Sequence, residues 1–360
     1  MKHMYIHIPF CNHICSYCDF CKMFRNDNFI DLYLDGLSKE IDEYYNGEEI
    51  DTLYIGGGTP SCLSIEELNK LFNVLNKVKL SNNYEYTFEC NPGDINEELI
   101  DILIKNKVNR ISIGIESFDI DNLGFMERKV DFKDIKSKIN MIKNKGINNI
   151  NLDLIYGIPE ESIKTLKKDL KLLVKLKPTH ISTYSLQIEE HTKIYNEGII
   201  NISEDLDYQM YNLIIKYLKK HKYNHYEISN FSLNGFESKH NTSYWNNEEY
   251  YGFGLGASGY IDGFRYENTR NLNKYLNGKY HKNEELLSID DKMYDEVMLG
   301  LRKLKGINLK EFKDKYGINL RDKFYIDDLI HNKELIIKND YLYVNPKYIY
   351  TINEILVKIL

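Results

Sequence analysis

Short apolar runs, each followed by a stretch with helical spacing, recur along the first half of this chain, and that alternation limits its fold more than any other feature. The runs Met4–Ile8, Thr52–Ile55, Glu85–Glu89, Arg110–Gly114, Ile150–Leu154 and Ile181–Ser185 have the length of strands. Between them, Ile30, Leu34, Leu37, Ile41 and Tyr44 step by four and three, which paints one face of a helix. Ile135, Ile139 and Ile142 repeat the pattern, with Gly146 as a stop just beyond. Ile163, Leu166, Leu170 and Leu173 repeat it again ahead of Pro178. Strand–helix units at roughly 30-residue spacing are what successive βαβ crossovers require. Right-handed crossovers place the helices outside a curved parallel sheet. Six units fall short of the eight that close a barrel, so the expected fold is α/β, a partial (β/α)6 barrel with its chemistry at the C-terminal strand ends.

From about Asn241 the alternation stops. Tyr250–Tyr260 (YYGFGLGASGY) is rich in glycine and aromatics and is predicted to be a loop passing close to another backbone or a ligand. Helices are predicted near Asp290–Leu304, Leu309–Tyr316 and Arg321–Leu329. A hairpin centred on KNDYLYV within Leu335–Tyr350 and a closing helix Ile352–Leu360 follow. The expected organisation is a core over residues 1–235, a connecting segment over 236–285, and a small α+β, winged-helix-like domain over 286–360.

A formal net charge of −7 argues against a nucleic-acid partner, which asks for a basic footprint. The start MKHMYIHIPFC has no basic-then-apolar leader, and no run of 18 apolar residues appears anywhere. Four of the six cysteines fall at positions 11, 15, 18 and 21, a clustering that points to metal chemistry in a reducing cytoplasm rather than to disulfides.

Cys11, Cys15 and Cys18 form CxxxCxxC directly after the first strand, at the end where such folds place their chemistry. Three thiolates on one short loop can hold three irons of a [4Fe-4S] cluster and leave the fourth open. The amino and carboxylate groups of S-adenosylmethionine (SAM) can chelate that iron, and an electron from the cluster can then split the sulfonium. A zinc knuckle would favour two short-spaced pairs, and no second pair follows here. Cys21 offers a further thiol whose role the sequence leaves open. Gly56-Gly57-Gly58-Thr59-Pro60 follows the second strand, where glycines let backbone approach a ligand with no Cβ between. Glu89 and Asp153 end the third and fifth strands, each as a candidate acceptor for an ammonium group.

The segments YIHIPFCNHICSYCDF, LYIGGGTPSCLS, ECNPGDI, VNRISIGIESFD, NLDLIYGIPEES, HISTYSLQIEEHT, YEISNF and HNTSYW occur in the order found in the coproporphyrinogen III oxidase-like radical SAM proteins. Among these the chain most resembles the HemW haem chaperones, over nearly its whole length. The resemblance implies a cluster and SAM site built from Tyr5, Cys11, Cys15 and Cys18, with Tyr17 packed beside it. It implies that Gly57, Gly58 and Thr59 line SAM, that Glu89 binds its methionine or ribose part, and that Arg128 and Asp153 contact it. His240, Asn241, Tyr244 and Trp245 fill the HNxxYW motif linked to haem, with His240 as the candidate iron ligand. Three positions depart from the family pattern. Glu116 replaces a usual Gln beside SAM, Ser258-Gly259 replaces a His-Ser pair, and Lys129-Val130 follows Arg128 where a His is common.

The function so implied is haem binding and transfer to acceptors of the respiratory type, met by peripheral contact with a membrane, with an electron donor for the cluster. The scaffold would be capable of reductive SAM cleavage. The alternative from the same relatives is oxygen-independent coproporphyrinogen III dehydrogenase. That enzyme carries a long segment ahead of its cysteines, whereas here ten residues precede Cys11, so no coproporphyrinogen oxidation is expected.

Overall fold

The computed structural model describes residues 2–360. Six parallel strands, β1 (His3–Ile8), β2 (Glu49–Gly57), β3 (Lys79–Cys90), β4 (Arg110–Glu116), β5 (Asn149–Tyr156) and β6 (His180–Ser185), lie side by side in chain order. The helices α1 (Asp27–Tyr44), α2 (Ile65–Leu75), α3 (Glu97–Lys105), α4 (Phe132–Asn144) and α5 (Ile163–Lys175) connect them. Each expected strand and each expected helix of this half is present, extended by a few residues.

Strand periodicity divides the residues between two environments. In β4, Ile111, Ile113 and Ile115 join the core, while Arg110, Ser112 and Gly114 face an inner cavity. In β5, Ile150, Leu152 and Leu154 are buried in the core, and Asn151 and Asp153 face inward. The α1 stripe Ile30, Leu34, Leu37 and Ile41 packs into that same core. Each such fully buried side chain contributes about 1.5–3 kcal/mol. Side-chain caps fix where the helices start: Ser64 and Glu67 form a reciprocal capping box on α2, and Ser162 caps α5.

The sheet grows beyond six strands at both edges, to twelve. Tyr250–Phe253 pairs parallel to β1, and Ser258–Ile261, Phe264–Asn268 and His281–Leu286 continue it as an antiparallel meander. The glycine-rich segment expected to be a loop is therefore two strands and their connection. Tyr251 and Phe253 are buried at alternate positions, which outweighs the low strand preference of their glycine neighbours. The close backbone approach is present: at Gly254, with φ +101°, an added Cβ would sit 2.6 Å from the His7 carbonyl oxygen. At the far edge Asn230–Ser232 pairs antiparallel to β6, and Asn224–Glu227 lies outside it. The two terminal strands stand at opposite ends of the order, so the barrel stays open.

The C-terminal part has helices Ile289–Gly300, Leu309–Tyr316, Leu320–Lys323 and Asp327–His331, and a three-stranded sheet of Ile307–Asn308, Leu335–Lys338 and Tyr341–Val344. The hairpin turns on Asn339 and Asp340, both at positive φ, the conformation that suits a two-residue hairpin loop. The helix expected over 321–329 is split in two because Phe324 and Ile326 turn into the core. The arrangement is winged-helix-like. Its backbone reaches the sheet where Leu304 N donates to Tyr226 O at 3.0 Å. Among the described residues no helix is long and apolar enough to cross a membrane.

Candidate cofactor site

The cysteine loop leaves β1 and returns through a short pairing of Phe10–Cys11 with Met23–Phe24. Its closure is fixed by Met23 N to Pro9 O at 2.8 Å and Arg25 N to Cys11 O at 2.9 Å. A small apolar cluster of Met126, Ile155, Ile158, Leu186 and Ile194 supports it from the side and holds Tyr17. Ser16 ties in by donating to Phe125 O at 2.8 Å and by accepting Ile194 N at 3.2 Å on its carbonyl.

Cys11, Cys15 and Cys18 line the mouth of a cavity of about 830 Å³ that runs down inside the curved sheet. Thr59 Oγ1 donates to Cys11 Sγ at 3.4 Å, and Arg128 Nη1 donates to Cys15 Sγ at 3.3 Å. Burial pushes the Cys18 thiol up to about 11, with Lys22 opposing it. Among the described residues no three His, Cys, Asp or Glu side chains converge tightly enough to hold one metal ion. A four-iron cluster takes each thiolate on a different iron, so it fits thiols spread around a cavity.

Below the cysteines the strand ends supply polar groups in a ring. Glu89 accepts Tyr54 OH at 2.6 Å and Gly57 N at 3.1 Å, and burial raises its carboxyl to about 7. Asp153 accepts Ser112 Oγ at 3.1 Å and Asn151 Nδ2 at 2.8 Å, and burial raises it too. Glu116 sits at φ +64°, at a register shift between β4 and β5, a bulge that re-aims its side chain into the cavity. Its carboxyl lies 3.9 Å from Arg128 and is raised to about 7, because burial outweighs so loose an ion pair. Arg128 also donates to Asn91 Oδ1 at 3.3 Å and Gly114 O at 2.5 Å, which fixes it between two strand ends.

The glycine turn lies against β1. An added Cβ at Gly58 would meet the Pro9 and Phe10 backbone within 2.9 Å, and at Gly57, with φ +113°, it would meet the His7 ring at 2.5 Å. Thr59 N donates to Phe10 O at 2.8 Å. The glycines therefore let β2 close onto the cysteine loop, and the edges of Gly57, Gly58 and Thr59 remain on the cavity wall.

Two sequence candidates stand off the cavity. Tyr5 packs on Tyr54, ring centres 6.0 Å apart, and its hydroxyl pairs with His7 Nδ1 at 3.0 Å. His240 is 1% exposed and does not reach the cavity. Its Nδ1 shares a hydrogen bond with Thr52 Oγ1 at 2.6 Å and its Nε2 with Tyr244 OH at 2.8 Å. Burial lowers its pKa well below the usual range, and its ring stacks on Tyr54 at 5.0 Å. With both nitrogens engaged and no face on the cavity, His240 is not disposed as an iron ligand. The helix Lys239–Trp245 that carries HNTSYW sits against the inward-facing side of β2 and β3 near their starts, where His240 N donates to Glu85 Oε1 at 3.1 Å, and of that motif Asn241 lines the cavity.

A model of the Radical SAM superfamily matches residues 5–173, and a model of the HemN C-terminal domain matches 287–347. Over 342 residues the chain is 41% identical to "Heme chaperone HemW" of Lactococcus lactis, an alignment spanning 92% of this chain and 90% of that protein. The chain belongs to the HemW haem chaperone family. "Heme chaperone HemW" of Bacillus subtilis is 38% identical over 93% of this chain and 94% of its own length. The solved structure of Escherichia coli coproporphyrinogen III oxidase (HemN), a radical SAM enzyme, superposes with a TM-score of 0.87. It covers 99% of this chain and 89% of that one; at 20% identity it attests the fold. Membership in the radical SAM superfamily implies a [4Fe-4S] cluster and SAM, and the cavity of this HemW-family chain has the thiols, glycines and carboxylates to suit both.

Sequence reasoning missed Tyr54, Arg110, Ser112, Asn151, Ser182 and Tyr184, all of which line the cavity. The signal was present as polar residues at every second position of RISIG, INLDL and HISTYS.

Proposed function

We propose that this chain binds haem and passes it to acceptor proteins, on a radical SAM scaffold with a [4Fe-4S] cluster on Cys11, Cys15 and Cys18. The observation that carries this reading is 41% identity across 92% of the chain to a protein named as a haem chaperone. In this reading SAM lies beside the cluster, against Gly57, Gly58, Thr59 and Tyr17. Glu89, Glu116 and Asp153 hold its polar groups, and Arg128 balances the charge of the thiolates. When bound, the cluster supplies an electron and SAM supplies the bond it can cleave. Thr59 and Arg128 hold two of the thiols in place by donating to sulfur, and Tyr54 holds the Glu89 carboxyl by donating to its Oε1. The haem acceptors in this reading are respiratory proteins met at a membrane surface from the cytoplasm, and a separate donor reduces the cluster.

Anaerobic reconstitution of the full chain followed by haem titration tests this. One haem per chain, read from the absorbance bands, is expected. A protein that ignores haem but decarboxylates coproporphyrinogen III would replace this reading with the oxidase.

A further inference from the structure

Arg110 opens β4, at the end of the cavity opposite the cysteines, and is 2% exposed. Its one hydrogen bond runs from Nη1 to Thr87 Oγ1 at 3.4 Å, and its buried Nε has no partner. Among the described residues no carboxylate oxygen pairs with it within 4.0 Å. A guanidinium presents five N–H donors in a planar fork, and burying one without an anion is costly. Its neighbours cannot serve it. Asn151 gives its amide to Ser112 and Asp153, and its carbonyl takes Ser182 Oγ at 3.1 Å and pairs with His180 Nδ1 at 2.6 Å. Glu89 is turned to Tyr54 and Gly57. The cavity floor therefore holds a guanidinium with an unpartnered donor and no direct ion pair, its charge met only at longer range by the Glu89 and Asp153 carboxylates, and it lines the open space together with Asn241.

SAM that chelates an iron at the mouth uses its own carboxylate there, so the anion that suits Arg110 belongs to another molecule. We infer that Arg110 anchors a carboxylate arm of a second ligand, bound deeper in the cavity than SAM. Resting on the haem reading above, that arm is a haem propionate, because haem carries two carboxylates on flexible arms and Arg pairs with carboxylates through two parallel N–H bonds.

The test compares haem with haem dimethyl ester, whose propionates carry no charge, on the anaerobically reconstituted full chain and its Arg110→Met and Arg110→Lys variants. Wild type should bind haem about 10- to 100-fold more tightly than the diester, the size of one charge-assisted hydrogen-bonded pair. Arg110→Met should bind both equally weakly, and Arg110→Lys should recover part of the preference. Iron content and circular dichroism report whether each variant is folded; if Arg110→Met is not, the wild-type and Arg110→Lys comparisons decide alone. Equal wild-type affinity for acid and ester, or an Arg110→Met protein that keeps the full preference, would overturn the anchor while leaving the haem reading intact. A folded, cluster-loaded wild type that binds neither form would remove the haem reading and this inference with it.

Discussion

Both ring nitrogens of His240 are engaged, at 2.6 Å to Thr52 and 2.8 Å to Tyr244, so its loss should be felt as lost packing. His240→Ala is expected to cost about 1–3 kcal/mol of stability, from a cavity and two orphaned hydroxyl groups, and to leave haem absorbance bands unchanged. A shifted haem spectrum in a normally stable variant would return the ligand role to this residue. At the cavity mouth the expectation is the opposite. Cys11→Ala, Cys15→Ala or Cys18→Ala should abolish the brown cluster of about four irons per chain while leaving the fold intact. Cys21→Ala should have the smaller effect, since the Cys21 carbonyl, not its thiol, is what His7 Nε2 holds at 2.7 Å. Iron analysis of each variant decides this, and full iron content without the three cysteines would contradict the assignment. The thiols were legible because their spacing on one loop is itself the chemical requirement. Tyr54 was not, because it stands as one polar residue among apolar ones in LYIGG, and the alternation that includes Arg110 in RISIG acquires a meaning only in the folded sheet, where such residues face one cavity.

The turn after β2 and the helix α1 each carry an element-scale test. Gly57 needs both its positive φ and the space beside the His7 ring, so Gly57→Ala should lower stability by about 1–3 kcal/mol. SAM affinity should fall along with the melting temperature, because the same turn faces the cavity; a loss of SAM affinity at unchanged stability would mean the glycine serves ligand approach alone. In α1, Glu40 is fully buried and accepts Gly254 N at 2.9 Å, Asn268 Nδ2 at 2.5 Å and Tyr275 OH. It pins the edge strands and the segment after them to the barrel. Burial pushes its carboxyl up to about 7 from an ordinary 4.5. The folded protein holds a proton there that the unfolded chain gives up, so this contribution is complete below about pH 4.5 and is lost as pH rises through about 7. Glu40→Gln has no such proton. The stability of wild type relative to Glu40→Gln should therefore decrease between about pH 5 and about pH 8 in denaturant titrations, and an increase would reverse the sign assigned here. That linkage also shows why the edge strands were not legible. Their glycines read as loop, and what makes them strands is pairing with β1 and a buried acid more than 200 residues away in sequence.

At the scale of the whole molecule, one sheet of twelve strands joins the cofactor end to the glycine-rich segment, and the winged-helix-like part docks on its edge through Tyr226 and Lys303–Leu304. The strand–helix alternation was enough to foresee the open parallel barrel and the end where its chemistry gathers, because both follow from local periodicity and the hand of the crossovers. How the tail meets the sheet depends on long-range packing that no local pattern encodes. The proposed activity also belongs to this scale, since holding haem and releasing it to another protein are tests of the folded, reconstituted chain as a whole. The most direct measurement loads the anaerobically reconstituted full chain with haem, mixes it with an apo haem protein, and follows both absorbance spectra, with coproporphyrinogen III, SAM and a reductant supplied in a parallel reaction. Haem moving to the acceptor without any decarboxylated product is the predicted result; a chain that retains no haem and decarboxylates coproporphyrinogen III would contradict it.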